Sequence, residues 1–270
     1  MDKEIEIAGK KLFYRVLGNG KPVMLVHGFG ETGDVWKNQI SWLGTNFQLI
    51  VPDLPGSGQS DMIDDMSMEG MADSLKTILY AEKYGVSPSG KAKVSMIGHS
   101  MGGYIALAFA AKYSDDLAAL GLFHSTAFAD SEEKKETRKK GIGFIHQYGA
   151  FEFLKNTTPN LFSPLSRAEK QELIDGFIVG LNNFSSQSLV SYYEAMMQRQ
   201  DRTYILQIKE LPILFVLGEY DNAVPLQDGL KQAHMPEKSY IHILHQSGHM
   251  GMLEEIDNSN HILNKFLSEI

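Results

Sequence analysis

A serine hydroxyl attacks a carbonyl at neutral pH only when a base takes its proton and a carboxylate orients that base. One stretch of this 270-residue chain suits such a serine. Lys93-Val-Ser-Met-Ile-Gly98-His-Ser100-Met-Gly102-Gly103 runs an apolar, partly β-branched segment into a serine between glycines, and an alanine-rich helical pattern follows. G-x-S-x-G between a strand and a helix predicts a sharp turn that lifts the serine above a sheet. Such a turn strains the serine backbone, and its neighbours must lack bulky side chains. Gly98 and Gly102 meet that need, and the positive end of the following helix would face the hydroxyl.

The base must be neutral near pH 7, which favours histidine. Nine are present. With a serine elbow of this kind the partners follow in the order serine, acid, histidine, so histidines before Ser100 drop out. His249 stands in Gln246-Ser-Gly-His-Met, a glycine-marked loop just past the last apolar run, and is the expected base. His245, ending that run, is its rival; His242, His234 and His261 read as packed or surface residues. Asp221, in Gly218-Glu-Tyr-Asp-Asn-Ala-Val-Pro225, is the expected acid. Glu219 lies too near the strand end, and Asp228 reads as the start of a helix. An oxyanion needs two donors, assigned here to the backbone N–H groups of Met101 and of Phe29 in His27-Gly-Phe-Gly30. His27 is expected to brace that loop, and His99 and His124 to flank the site. Asp53 has the wrong chain order for the acid and is expected to shape its own glycine-rich loop.

These residues need a scaffold that gathers them. Residues 4–17 alternate, turn near Gly9 and resume, which predicts an antiparallel hairpin at a sheet edge. Val23–Val26, Phe47–Val51, Val94–Ile97, Leu117–Phe123, Ile213–Leu217 and Tyr240–Leu244 are short, nearly continuous apolar runs, as in parallel strands covered on both faces. With helical patterns between them, including Glu69–Tyr84 and Met101–Tyr113, they predict a doubly wound, mostly parallel eight-stranded α/β sheet. Ligands then bind beyond the carboxyl ends of the strands, where the candidate residues fall.

Residues 127–205 break the rhythm. Ser131–Lys140 is a charge run that reads as a solvated helix face, with pairs such as Glu132/Lys135 and Glu136/Lys140. Ser166-Arg-Ala-Glu169 resembles a capping box, and Ser186–Gln200 is helical with Tyr192, Tyr193, Met196 and Met197. The expected division is a core of 1–126 and 206–270 with a helical lid of 127–205. Met196, Met197 and His124 are the side chains assigned to a substrate pocket.

A formal net charge of -8 argues against nucleic acid or an anionic membrane as partner. No cysteine is present, so no disulfide or thiolate chemistry is expected. The start lacks the pattern of a signal peptide, and no apolar run is long enough to span a bilayer. A cytoplasmic protein is the resulting expectation. Gly56-Ser-Gly58 lacks the third glycine of a dinucleotide fingerprint, and no P-loop or H-E-x-x-H pattern occurs. Neither cofactor nor metal is expected.

Taken together, these motifs in this order resemble the α/β-hydrolase superfamily, in its lidded single-domain branch, over nearly the whole chain. The resemblance implies Ser100 as nucleophile, His249 as base and then acid, and Asp221 as orienting carboxylate. Related enzymes include esterases, enol-lactone and carbon–carbon hydrolases, prolyl aminopeptidases and cofactor-free peroxidases. His99 stands where carbon–carbon hydrolases often carry asparagine, and Met101 where the aminopeptidases carry tryptophan. A small carboxylic ester or lactone is therefore the expected substrate. The alternatives are hydrolysis of another bond, or a small-molecule receptor on the same fold with a protein partner docked on the charged helix.

Overall fold

The computed structural model describes residues 1–84 and 92–270. Its first two strands, β1 (Asp2–Ile7) and β2 (Lys10–Leu17), form the expected edge hairpin with Ile5 opposite Leu12. Ala8 and Gly9 close it with φ of 49° and 78°, the paired positive values of a two-residue turn whose twist matches the strands. The remaining strands are β3 (Lys21–Val26), β4 (Phe47–Pro52), β5 (Val94–His99), β6 (Leu117–Phe123), β7 (Ile213–Gly218) and β8 (Ser239–Leu244). They form one eight-stranded sheet in the order β1-β2-β4-β3-β5-β6-β7-β8. Every pairing from β4 onward is parallel.

The continuous apolar runs have the reason expected of them. Along β3, Met24 and Val26 join one buried cluster while Val23 and Leu25 join another on the opposite face. In β7, Ile213, Phe215 and Leu217 fall on one side and Leu214 and Val216 on the other. Helices α2 (Met68–Ala81) and α3 (Met101–Tyr113) cover the first face. Helix α1 (Lys37–Leu43) and the final helix, Ile256–Glu269, cover the second. The run Tyr240–Leu244 departs from the rule: β8 is an edge strand, and Ile241 remains exposed.

Between β6 and β7 the regular elements are all helical: α4 (Glu132–Tyr148), α5 (Ala150–Thr157), α6 (Pro164–Glu169), α7 (Gln171–Val179), α8 (Ser186–Gln198) and two short 3-10 turns. The cap of α6 is Ser163 rather than Ser166, because Pro164 fits the first helical turn and the Ser163 hydroxyl accepts from the Ser166 N–H at 3.1 Å. After β7 come α9 (Leu226–Gln232), with Asp228 inside its first turn, then α10 (Gly251–Glu254) and α11 (Ile256–Glu269). Among the described residues no helix is long and apolar enough to cross a membrane.

Candidate active site

Each candidate residue sits just past the carboxyl end of a strand. Ser100 follows β5 with φ of 50°, a value that few side-chain-bearing residues adopt. The turn closes through Ser100 N–H to Phe123 O, and the Ser125 hydroxyl donates to Ser100 O at 2.7 Å. A methyl group on Gly98 would fall 2.4 Å from the Gly102 backbone, and one on Gly102 2.4 Å from Val26 O. Only glycine permits this crossing of strand and helix. Ser100 is left partly accessible at the wall of a cavity of about 550 Å³ that His249 also lines.

His249 and Asp221 are both buried, and His249 Nδ1 donates to Asp221 Oδ2 at 2.8 Å. The other carboxylate oxygen accepts from the N–H groups of Ala223 and Val224, each at 2.8 Å. Burial alone would raise the Asp221 pKa, but the His249 charge and the hydrogen bonds around it hold it well below the ordinary carboxylate range. Burial likewise works against a charged His249, yet Asp221, with Glu31 and Glu254 behind it, keeps its pKa above the usual 6.5. His245, the rival base, is exposed and engaged with Glu219 at 2.7 Å. The imidazole that faces the serine's cavity is His249. Among the described residues no hydrogen bond yet joins the Ser100 hydroxyl to it, and such contacts commonly tighten only with substrate bound.

The N–H groups of Met101 and Phe29 have no hydrogen-bond partner among the described residues. The loop between them and β3 is held by His27, whose Nε2 accepts from Leu54 N–H at 2.9 Å while Nδ1 donates to Gly28 O at 2.9 Å. Asp53 shapes its own loop, accepting from Gly33 and Gln59. The arrangement offers a serine and a carboxylate-oriented imidazole at a cavity that Phe29 also lines, with free backbone N–H groups at Phe29 and at Met101 next to the serine, which is equipment for acyl transfer.

Comparison with known proteins agrees with this chemistry. The family model described as "alpha/beta hydrolase fold" matches residues 21–142. Lipase 1 of Psychrobacter immobilis is 27% identical over 93% of this chain and 79% of its own length. The 2-hydroxy-6-oxo-6-phenylhexa-2,4-dienoate hydrolase of Comamonas testosteroni is 22% identical over 98% and 94%. A thermophilic esterase from Thermogutta terrifontis superposes with a TM-score of 0.90 at 29% identity, over 100% of this chain and 98% of that one. The chain has the α/β-hydrolase fold.

Within this α/β-hydrolase fold the cavity differs from expectation in three ways. Met196 lines it, but Met197 is not among its walls: Tyr193 and Met196 fill the inward face of α8, leaving Met197 half-buried to one side. His124 is not a pocket residue either. It is fully buried beneath the acid, with Nδ1 3.3 Å from Asp221 Oδ2, poorly aligned for a hydrogen bond, and Nε2 accepting from Gly251 N–H at 3.2 Å. Burial pushes its pKa down to about 4 against the pull of Asp221, so it stands neutral under the carboxylate. The charge run on α4 is not simply solvated, since Lys134, Thr137 and Arg138 line the cavity. The ion pairs within it are Glu132–Lys135 and Glu136–Lys139, not Glu136/Lys140. The spacing held a signal for this: positions 134, 138, 141 and 145 share one helix face, and Gly141 and Ile145 on it are buried.

Tyr104, Leu161, Tyr193 and Glu31 also line the cavity. Tyr193 was visible only as one aromatic among several, and Glu31 had no motif to mark it. His124, Asp221 and His249 place ligand atoms within 4.8 Å of one another, a spacing a metal could use. His249 Nδ1 and Asp221 Oδ2 are joined by the 2.8 Å hydrogen bond, which a metal bound through them would have to break.

Proposed function

We propose that the protein is a serine hydrolase of small carboxylic esters or lactones. The Asp221–His249 hydrogen bond beside a strained, cavity-facing Ser100 is the observation that carries this reading. Ser100 Oγ attacks the carbonyl while His249 Nε2 takes its proton. The N–H groups of Phe29 and Met101 receive the oxyanion, and a donor of this kind is worth about 10²–10³ in rate. His249 then protonates the leaving alkoxide, or the ring oxygen of a lactone, and activates water against the acyl-enzyme. Asp221 fixes the tautomer and stays ionised.

Residues 127–205 act in this reading as a lid over the acyl cavity, whose walls combine Tyr104, Leu161, Tyr193 and Met196 with the polar side chains of α4. The esterase and lipase named above favour an ester over a carbon–carbon or amide bond. With no cysteine to oxidise, the chain suits the cytoplasm.

The test is intact mass after fluorophosphonate treatment, beside rates on p-nitrophenyl acetate, butyrate and octanoate. One adduct on Ser100 and turnover that depends on chain length are expected. Folded protein that takes no adduct and cleaves none of the esters would sink the proposal. Ser100→Ala should lower turnover by at least about 10³-fold with little change in stability, since a partly exposed hydroxyl is all that is lost.

A further inference from the structure

Glu31 and His99 are both buried, and the triad leaves them without a role. His99 precedes the proposed nucleophile. Its Nε2 lies 2.9 Å from the backbone oxygen of His249, and its Nδ1 2.9 Å from Glu31 Oε2. That same Glu31 oxygen accepts from Gly28 N–H at 2.6 Å, one residue before Phe29. One bonded chain therefore runs from the oxyanion loop through Glu31 and His99 to the base loop, and its middle member is covalently joined to the serine elbow.

The hydrogen bonds also fix the protons. A backbone carbonyl only accepts, so His99 Nε2 carries a proton. Glu31 is buried, which by itself favours its neutral form, but the oxygen that faces His99 already accepts the short Gly28 N–H bond, and that donor together with His99 holds its pKa below the ordinary carboxylate value. An ionised Glu31 also only accepts. Both ring nitrogens of His99 therefore donate, which only the imidazolium form can do.

We propose that Glu31 and His99 are a buried ion pair that positions the oxyanion loop, the nucleophile elbow and the base loop against one another. The inference rests on the serine-hydrolase reading for its consequence, though not for its geometry. The other titratable rings facing His99 are His249, at 4.9 Å between ring centres, and His124, at 6.1 Å; His27 acts on Glu31 from the oxyanion-loop side. Trp36 and Phe123 cover His99 edge-on and keep water away. Neither member of the pair touches the reacting atoms in this scheme. Both act through Gly28 and His249.

The first readout does not depend on activity. In protein labelled with ¹⁵N-histidine, both ring nitrogens of His99 should carry protons at pH 7. A single ring proton on His99 would overturn the pair. The second readout is kinetic. Glu31→Ala should lower kcat on p-nitrophenyl butyrate by about 10²-fold, the cost of a misplacement near 1 Å, with KM changed less than about threefold. Glu31→Gln, which keeps an acceptor for His99, should recover part of that loss. A kcat for Glu31→Ala within twofold of the parent would refute positioning even with His99 doubly protonated. Ser100→Ala separates the two ideas: if it retains turnover, the triad reading fails, and the nitrogen spectrum still decides whether the brace exists.

Discussion

Asp221 receives two imidazoles with opposite tendencies, and that contrast sets the pH behaviour of the site. In the proposed mechanism His249 must be neutral to accept the serine proton. Burial opposes its charge, but Asp221 outweighs burial and moves its pKa above 6.5. The acid limb of kcat/KM should therefore have its midpoint above 6.5, activity falling as pH drops through it; a midpoint below 6 would contradict the Asp221–His249 coupling. His124 is driven the other way, to about 4, chiefly by burial. Between pH 6.5 and 4 the unfolded chain binds a proton at this residue and the native chain does not, so stability falls as pH falls through that window. The loss amounts to about 3 kcal/mol. Urea unfolding from pH 7 to 4 should show it, and His124→Asn should flatten that part of the curve. The chain order of serine, acid and histidine was enough to find Ser100, Asp221 and His249 as candidates. It carried no information about His124, because a histidine past a strand end looks the same whether it opens on a pocket or lies under the acid.

At the scale of elements, α4 and the end of α8 are fastened to one another, and α8 to the core, at identifiable points. Asp130 carries a bidentate bond from Arg138 on α4 and a 2.7 Å contact from Arg199 just past α8, with Asp130 and Arg199 buried. Asp130→Ala strands two guanidinium groups. Removing one member of a buried pair costs about 3–5 kcal/mol, so the melting temperature should fall by about 10 °C. A drop under 2 °C would mean that water reaches these groups freely. Tyr192 reaches the loop after β4, donating to Pro55 O and bonding Ser57. Next to it, Tyr193 stacks on Phe29 with ring centres 4.4 Å apart and planes 7° from parallel. That stack ties the proposed oxyanion loop to α8. Tyr193→Phe keeps the ring and should keep kcat; Tyr193→Leu should lower kcat about tenfold, since an aromatic pair contributes about 1 kcal/mol beyond its buried area. Equal rates for the two variants would show that the stack does not hold the loop. Periodicity could place these helices, but not say which of their polar residues turn inward. Arg138 reads as one more charge in a charged run until Asp130 and Tyr193 are seen beside it.

For the molecule as a whole, the sheet was the most legible part, because a strand covered on both faces must be apolar at nearly every position. β8 shows the limit of that rule, since an edge strand can be as apolar as a central one. The helical segment between β6 and β7 was legible as an insertion but not as a body that shares the core. Ile145, Phe153, Leu154, Leu189, Tyr192 and Met196 from that segment belong to the same buried cluster as Met71, Leu75 and Ile105. The segment also grips the base loop: Leu161 O accepts from His249 N–H at 2.6 Å, and Glu254 accepts both Ser163 N–H and Gly248 N–H at 2.8 Å. Its helices therefore cannot melt away while the site stays assembled. The two tryptophans, Trp36 and Trp42, both lie outside residues 127–205, so their fluorescence reports the core, whereas far-ultraviolet circular dichroism reports every helix. The two signals should lose their native values at one common temperature, as a single cooperative unit requires. If the helical signal instead fell well before the tryptophan signal, residues 127–205 would be a separately folding cover, and the hydrogen bonds to His249 and Glu254 would be too weak to couple it to the loop that carries His249.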